Sequence, residues 1–174
     1  MAEPTPTGPA RTVLAGQPAD IIELIMADHR RIRRLAAALD DTARWNGNSG
    51  VMLGHAWHRL AGLLEAHARA EEEICYLPMF GCHPQAAAAR REAFDDHDDI
   101  REAISEASLH RPGSARWWRA VRAVLAASAG HLDREERILL ASGLTGLTMS
   151  RRRELGRQWS AFIAAWRLDA AFRA

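Results

Sequence analysis

The sequence predicts an all-α protein, namely an up-down-up-down four-helix bundle followed by a fifth helix near the carboxyl terminus. Apolar residues recur at spacings of three and four along most of the chain, as they do on one face of a helix. No segment shows the sustained alternation of apolar and polar residues that marks a half-buried strand. The four main helical segments have similar lengths and short connections, which is typical of antiparallel bundles.

The first two predicted helices are bounded by capping and turn residues. The first helix begins at a capping-box-like pair, Asp20 and Glu23, and runs to about Arg44. Turn-forming residues at 46–50 separate it from the second helix. We expect the second helix to stop before Pro78, because proline removes a backbone donor from a helix.

The remaining helices follow the same logic. The third is predicted over about residues 85–109, and the turn residues at 110–114 end it. Ser114 is a suitable N-cap for the fourth helix, over about residues 115–141. A fifth, amphipathic helix is predicted over about residues 150–171.

These elements divide the chain into three regions. Residues 1–18 are rich in Pro, Thr, Gly and Ala and are expected to form a disordered tail. The tail lacks the basic start and apolar stretch of a signal peptide, so we expect a cytoplasmic protein. The bundle is predicted over residues 19–142, and residues 143–174 are predicted to place their helix against it.

The composition excludes several classes of partner. The 174-residue chain is 48% hydrophobic and has a net charge of +1, which fits one domain and gives no indication of a nucleic-acid partner. Its apolar runs are shorter than the ~20 residues of a membrane span. Cys75 and Cys82 lack C-x-x-C spacing and predict neither a disulfide scaffold nor a zinc or redox motif.

Two His-x-x-x-Glu pairs stand out among eight histidines: His67 with Glu71, and His131 with Glu135. Four residues advance a helix by about 40° beyond a full turn, so each pair lies on one face and can reach one metal centre. A single pair at this spacing is expected by chance. The repetition is therefore what carries the prediction.

Each pair is preceded by a further histidine near the middle of the preceding helix. His29 precedes the first pair and His97 precedes the second, so the pattern His, then His-x-x-x-Glu, occurs twice. All four histidines lie on the apolar side of their own helices. Buried polar groups need partners, and a shared metal site would provide them in one place.

This pattern resembles the hemerythrin-like family, the HHE cation-binding domains, over about residues 20–142. The segments that carry the resemblance are 27–30, 67–78, 94–97 and 131–136. The resemblance implies a four-helix bundle around two non-haem iron ions with a solvent-derived oxo or hydroxo bridge. It implies four terminal histidine ligands, namely His29, His67, His97 and His131. It implies that Glu71 and Glu135 are the bridging carboxylates.

The sequence departs from hemerythrins proper on the third helix. Those proteins carry an additional histidine one turn from the first, whereas this chain has Ala93 and Arg101 at the positions one turn from His97. Two histidines, two carboxylate oxygens and one bridge leave each iron five-coordinate and open. We therefore expect chemistry beyond reversible O2 binding, with peroxide or nitric oxide as further ligands.

Two neighbouring features have a functional and a structural interpretation. Tyr76 lies about 140° round the helix from Glu71, so ligation by the phenol requires a shifted helix end, which Pro78 can cause. Ordinary packing of Tyr76 is the favoured interpretation. In the acidic run at 95–99, one carboxylate can hold the other ring nitrogen of a ligand histidine, but a solvated face is favoured.

The other histidines are expected to be bystanders: His55, His58, His83 and His110. For His83 the alternative is an accessory metal site formed together with Cys82. The arginine runs at 30–34 and 151–153 are expected to be solvated helix faces.

Apolar residues on the last two helices include four tryptophans: Trp117, Trp118, Trp159 and Trp166. We expect them to pack on the bundle, which makes a monomer. A homodimer is the alternative, because a wide apolar stripe must be covered.

Three functions remain open. The first is a di-iron protein that binds or reduces a small diatomic or peroxide ligand, in sensing or detoxification, which includes peroxide- or NO-directed oxidoreductase activity. The second is an iron-binding or iron-sensing module without turnover, or an O2 carrier, and the third is a purely structural bundle. A ferroxidase is disfavoured because that class uses Glu-x-x-His motifs. Zinc or manganese is an alternative to iron, although six protein donors suit two metals better than one tetrahedral zinc.

Overall fold

The computed structural model describes residues 19–43, 50–80, 84–141 and 146–173. Within these ranges the regular structure is helical throughout. The elements are α1 (Ile21–Ala43), α2 (Gly50–Ala70), a π-helix (Glu71–Cys75), α3 (Tyr76–Phe80), α4 (Pro84–Ser108), α5 (Ala115–Ala141) and α6 (Met149–Arg173).

The predicted bundle is confirmed in its helix order and packing. α1 packs against α2 and α5, and α4 packs against α5 and α2, which closes a four-helix arrangement. α6 corresponds to the predicted fifth helix and lies against α1 and α2. Among the described residues, no helix has the length and apolar character needed to cross a membrane.

Two apolar clusters enclose a polar layer in the middle of the bundle. One cluster joins the start of α1, the end of α2 and α6, and includes Ile25 and Trp159. The other fills the opposite end and includes Ile32 and Trp117. His29 lies between Ile25 and Ile32 in α1 and is itself buried, so the polar layer is closed off from solvent at both ends.

The start of α1 is tied to α6. The Asp20 carboxylate accepts a hydrogen bond from the Ile22 N–H at 3.0 Å and so caps α1, as the sequence predicts. The same carboxylate pairs with the Arg152 guanidinium, whose Nε lies 3.0 Å from Oδ1. Gly156 of α6 lies so close to the Ala19 carbonyl that a Cβ there would overlap it.

The start of α5 also matches its prediction. The Ser114 hydroxyl accepts a hydrogen bond from the Trp117 N–H at 3.2 Å, and Gly113 provides the turn with a φ of 86°. Trp117 is buried, as expected for packing on the bundle.

The prediction that the second helix stops before Pro78 is wrong. The chain continues through the π-helix and α3 to Phe80, and the Tyr76 N–H donates to the Glu71 carbonyl five residues earlier. In an α-helix the Pro78 ring would collide with the Ile74 carbonyl. The wider turn around Ile74 accommodates the proline, so the helix changes its winding instead of ending.

Some predictions concern residues outside the described ranges. These are the tail at 1–18 and the pair Cys82 and His83. The expected tail and the accessory site remain sequence-based predictions.

Candidate metal centre

The six residues that the repeated pattern singles out are all buried and lie together in the polar layer. Their helices are α1 for His29, α2 for His67, the π-helix for Glu71, α4 for His97, and α5 for His131 and Glu135. None exposes more than 4% of its surface. The structure therefore brings together the six residues that the repeated sequence pattern singles out.

The four imidazoles form two pairs whose Nε2 atoms face each other. His29 Nε2 lies 3.1 Å from His67 Nε2, and His97 Nε2 lies 3.0 Å from His131 Nε2. We call the surroundings of the first pair the first half-site and those of the second pair the second half-site.

Glu71 lies between the two half-sites and gives one oxygen to each. Its Oε1 lies 2.9 Å from His67 Nε2 and 3.9 Å from His29 Nε2. Its Oε2 lies 3.3 Å from His97 Nε2 and 3.8 Å from His131 Nε2. A carboxylate that faces two nitrogen pairs with different oxygens has the arrangement of a bridge between two cations.

Glu135 also touches both half-sites. Its Oε2 lies 3.2 Å from His29 Nε2 and 3.8 Å from His131 Nε2. The candidate donor atoms form two groups, one around the first half-site with both carboxylates and one around the second with Glu71, and within each group they lie within 4.8 Å of one another.

Three of the histidines are held from behind by a carboxylate that is itself held by an arginine. His29 Nδ1 lies 2.9 Å from Glu136 Oε1, and Arg33 Nη1 lies 2.5 Å from the same oxygen. His97 Nδ1 lies 2.8 Å from Glu72 Oε1. Arg101 Nη2 donates to that oxygen at 2.8 Å.

The third such chain uses the acidic run. His131 Nδ1 lies 3.3 Å from Asp96 Oδ2, and Arg134 Nε donates to the same oxygen at 3.1 Å. The favoured interpretation of a wholly solvated face is therefore wrong for Asp96. Asp95, by contrast, is exposed as expected.

These chains fix which ring nitrogen is available to a metal. An ionised carboxylate only accepts hydrogen bonds, so each Nδ1 carries the proton that it donates. The Nε2 lone pair of the neutral ring then points into the centre. Such carboxylate contacts orient metal-binding histidines and increase their basicity.

Without a cation, the charge of the buried carboxylates is balanced by protons. Burial alone would lower the pKa of His29, but the carboxylates of Glu135 and Glu71 outweigh burial and raise it to about 10. Burial alone would also lower the pKa of His97, but the carboxylates of Glu71 and Glu72 outweigh burial and raise it to about 9. Burial and repulsion by Glu71 raise the pKa of Glu135.

The donor set fits bound cations. Among the described residues, Glu135 Oε1 and His67 Nδ1 are buried without a hydrogen-bond partner, and Glu71 Oε1 and Glu135 Oε2 face ring nitrogens of the candidate ligand histidines. Unpaired buried carboxylate oxygens are costly, and a metal ion removes that cost. Imidazole nitrogens with carboxylate oxygens suit iron, manganese or zinc.

The family comparison agrees with this geometry. The model of the hemerythrin HHE cation-binding domain matches residues 20–142, which is most of the chain. The protein belongs to the hemerythrin HHE cation-binding domain family. No curated protein matches the sequence closely enough to add a named relative.

A solved structure shares the fold of this HHE domain. It is the crystal structure of a hemerythrin HHE cation-binding domain-containing protein, the Rv2633c homolog from Mycobacterium kansasii. The two chains are 18% identical, the TM-score is 0.72, and the match covers 89% of this chain and 91% of the other.

Tyr76 is where the HHE domain differs most from its sequence-based interpretation. Its hydroxyl lies 3.2 Å from His97 Nε2 and 3.5 Å from Glu71 Oε2, and the side chain is buried. The π-helix causes this placement, because the extra residue in the turn brings Tyr76 round to the Glu71 face. The hydroxyl therefore joins the second half-site, although ordinary packing was favoured.

The same side chain lines a small cavity that borders the second half-site. The cavity lies between α3, α4 and α5, and its walls include Tyr76, His131, Glu135, Asp96 and Arg134. The volume of the cavity is about 20 Å³, which exceeds the roughly 10–15 Å³ that one water molecule requires. The space is therefore slightly larger than one water molecule.

The remaining described histidines lie away from the centre, whereas two arginines support it. His55 and His58 are exposed, and His110 lies 2.8 Å from Glu106 at the end of α4, so these three are outside the centre. Arg101, one turn from His97, holds Glu72. Arg33, expected on a solvated face, holds Glu136.

Sequence reasoning missed two of the three carboxylates behind the histidines, Glu72 and Glu136, although a pattern for them exists. Glu72 and Glu136 directly follow Glu71 and Glu135, so each His-x-x-x-Glu motif is extended by a second glutamate. An arginine also follows each supported histidine by three or four residues, as Arg33 follows His29. This spacing places it on the same face of the helix.

Proposed function

We propose that this HHE domain holds two non-haem iron ions and that the loaded protein binds and reacts with a small oxidant, namely O2, peroxide or nitric oxide. The observation that carries the proposal is the position of Glu71, whose two oxygens face different histidine pairs. A single tetrahedral zinc would not use donors spread over two half-sites.

The proposed ligands are the six predicted residues. His29 and His67 would hold the first ion and His97 and His131 the second, with Glu71 and Glu135 shared between them. Two iron ions held by these residues, together with a solvent-derived bridge, would supply redox equivalents to a small molecule.

We also propose Tyr76 as a seventh protein donor, at the second half-site. Its hydroxyl is close to two other donor atoms of that half-site, and the side chain is buried. Burial first, and then the charges of Glu71 and Glu135, raise the pKa of the phenol, so a cation is needed before the proton leaves. This donor would close one of the two open positions that the sequence-based count left.

The protein residues around the centre have three tasks in this proposal. The carboxylate–arginine pairs keep three imidazoles oriented, so little reorganisation accompanies a change in metal charge. The apolar clusters exclude bulk water from the polar layer. The cavity beside Tyr76 and Glu135 admits only small molecules to the centre.

Sensing or detoxification of such an oxidant in the cytoplasm is the biological role that we propose. A reversible O2 carrier is the second candidate, and the observation that favours it is Tyr76. A seventh donor leaves one open position instead of two, and one open position suffices for reversible binding.

One experiment separates the two candidates. The protein is loaded with iron(II) under argon, its iron content is measured, and separate samples are then mixed with O2, with hydrogen peroxide or with nitric oxide. The proposal expects one peroxide to be reduced to water for every two iron(II) ions oxidised to iron(III), and repeated consumption once an external reductant is added. A stable, reversible spectrum with O2 and no consumption of peroxide would support the carrier, and no reaction with any of the oxidants would contradict both.

A further inference from the structure

The four imidazoles of the centre are not held alike. Those of His29, His97 and His131 each have a carboxylate behind Nδ1. The Nδ1 atom of His67 is buried and has no hydrogen-bond partner among the described residues. Within the described part of the chain, this ring therefore has no counterpart of the carboxylate–arginine pairs.

An aromatic ring from α6 packs against His67 instead. The Trp159 indole meets the imidazole edge to face, with ring centroids 5.5 Å apart and an angle of 76° between the planes. Trp159 is itself buried, in the cluster that includes Ile21 and Ile25 of α1. His67 thus has two aromatic neighbours, the His29 ring inside the centre at 4.9 Å and the Trp159 indole from α6.

α6 lies beyond residue 142, where the match to the family model ends. Its position is nevertheless fixed by two close contacts with the start of α1. Arg152 pairs with Asp20, and Gly156 lies against the Ala19 carbonyl. A helix outside the matched domain is therefore held rigidly where its Trp159 reaches a candidate ligand.

We infer that α6 completes the metal centre and that Trp159 is a positioning residue for His67. The inference rests on the two-metal centre proposed above, and it assigns different stabilities to its two half-sites. The second half-site is oriented by charge-assisted hydrogen bonds from within the bundle. The first half-site relies for one of its histidines on packing by α6, so loss of the indole loosens that half-site selectively.

The test compares metal release from Trp159→Ala, Trp159→Leu and Trp166→Ala variants. Trp166 is the matched control, because it is a half-buried tryptophan of the same helix that stacks on Phe162 and not on a histidine. The iron-loaded proteins are mixed with an excess of a chelator, and release is followed to completion. A His67→Ala variant identifies the phase that belongs to the first half-site.

We expect Trp159→Ala to accelerate that phase by about 10-fold or more, in line with the cost of losing support for a ligand. The other phase should stay within about 2-fold of the unchanged protein. Trp159→Leu keeps an apolar side chain in the cluster, so it should fold even if Trp159→Ala does not. Because it lacks the indole ring, it should also accelerate only the phase of the first half-site. Equal acceleration of both phases, or no acceleration, would overturn the inference.

A second readout needs no metal. In metal-free protein labelled with ¹⁵N-histidine, the Trp159 substitutions should shift the ring resonances of one buried histidine, His67, and leave His97 and His131 unchanged. Shifts spread equally over the buried histidines would contradict a positioning role. If the protein binds two metals but reacts with no oxidant, the proposed function is contradicted and the metal-release test still applies. If the protein binds no metal, the two-metal centre is contradicted, and the histidine resonances still show whether Trp159 positions His67.

Discussion

The backbone N–H of Tyr76 donates to the carbonyl of Glu71, five residues earlier, instead of to the carbonyl four residues earlier. This single widened turn places the Tyr76 hydroxyl 3.5 Å from the Glu71 carboxylate. In a regular α-helix the two side chains would lie about 140° apart. The π-helix therefore adds a phenol to a centre that is otherwise built from histidines and glutamates.

We predict that Tyr76→Phe keeps the iron content of the protein but removes a visible absorption band of the iron(III) form. Phenolate bound to iron(III) absorbs in the visible range, whereas imidazole and carboxylate donors contribute little there. The measurement is the absorption and resonance Raman spectrum of the oxidised protein. A band that is the same in both proteins would show that Tyr76 is not a donor.

The carboxylates behind the histidines can be tested with neighbouring residues of one helix. We predict that Asp96→Asn weakens metal binding by about 10- to 100-fold, because the amide can no longer act as a charged partner of His131 and Arg134. Asp95→Asn is the control, since Asp95 is exposed one residue away. Competition with a chelator measures both affinities, and equal losses in the two variants would refute the role of Asp96.

The docking of α6 makes a prediction about two glycines. Gly156→Ala should destabilise the protein by about 1–3 kcal/mol, because the new Cβ overlaps the Ala19 carbonyl and backbone must move. Gly62→Ala is the matched control, since no atom lies within 4 Å of a Cβ there and the position is exposed in α2.

We expect the control to gain about 0.5–1 kcal/mol from its better helix propensity. Urea unfolding of the metal-free proteins measures both changes. Equal effects of the two substitutions would mean that α6 does not approach α1 as closely as described.

The pH dependence of stability should differ in sign between the metal-free and metal-loaded forms. Because the pKa values of His29 and His97 rise from 6.5 to about 10 and about 9, their contribution to metal-free stability is complete below pH 6.5. It is lost as the pH rises toward 9 and 10. Metal binding displaces the same protons, so the loaded form should become more stable over this range.

The free energy of unfolding at about pH 6.5, 7.5 and 8.5, measured with and without iron(II) under argon, tests this prediction. Parallel trends in the two forms would show that protons and metal do not compete for the same nitrogens.

Much of the fold and the six proposed ligands could be predicted from local patterns. The start of α5 follows from Ser114 and Gly113, whose capping and turn properties act within a few residues. His67 and Glu71 were placed on one face by helical periodicity alone. Such features depend on neighbours in sequence, so no tertiary information is needed.

What could not be predicted depends on contacts between helices or on a departure from regular winding. Asp96 holds His131, 35 residues away on another helix, and only the packing of α4 on α5 brings them together. Trp159 reaches His67 because α6 docks on α1 and α2. The position of Tyr76 required knowing that the chain accommodates Pro78 by widening a turn and not by ending the helix.

The central claim is that Glu71 and Glu135 join two metal ions in one buried centre. Its most direct test is an anaerobic titration of the metal-free protein with iron(II), in which bound metal per chain is counted for the unchanged protein and for Glu71→Ala. The account predicts about two ions per chain, because the donors form two half-sites. It predicts that Glu71→Ala weakens both half-sites together. Saturation at one ion per chain, or two ions that bind equally well without Glu71, would contradict it.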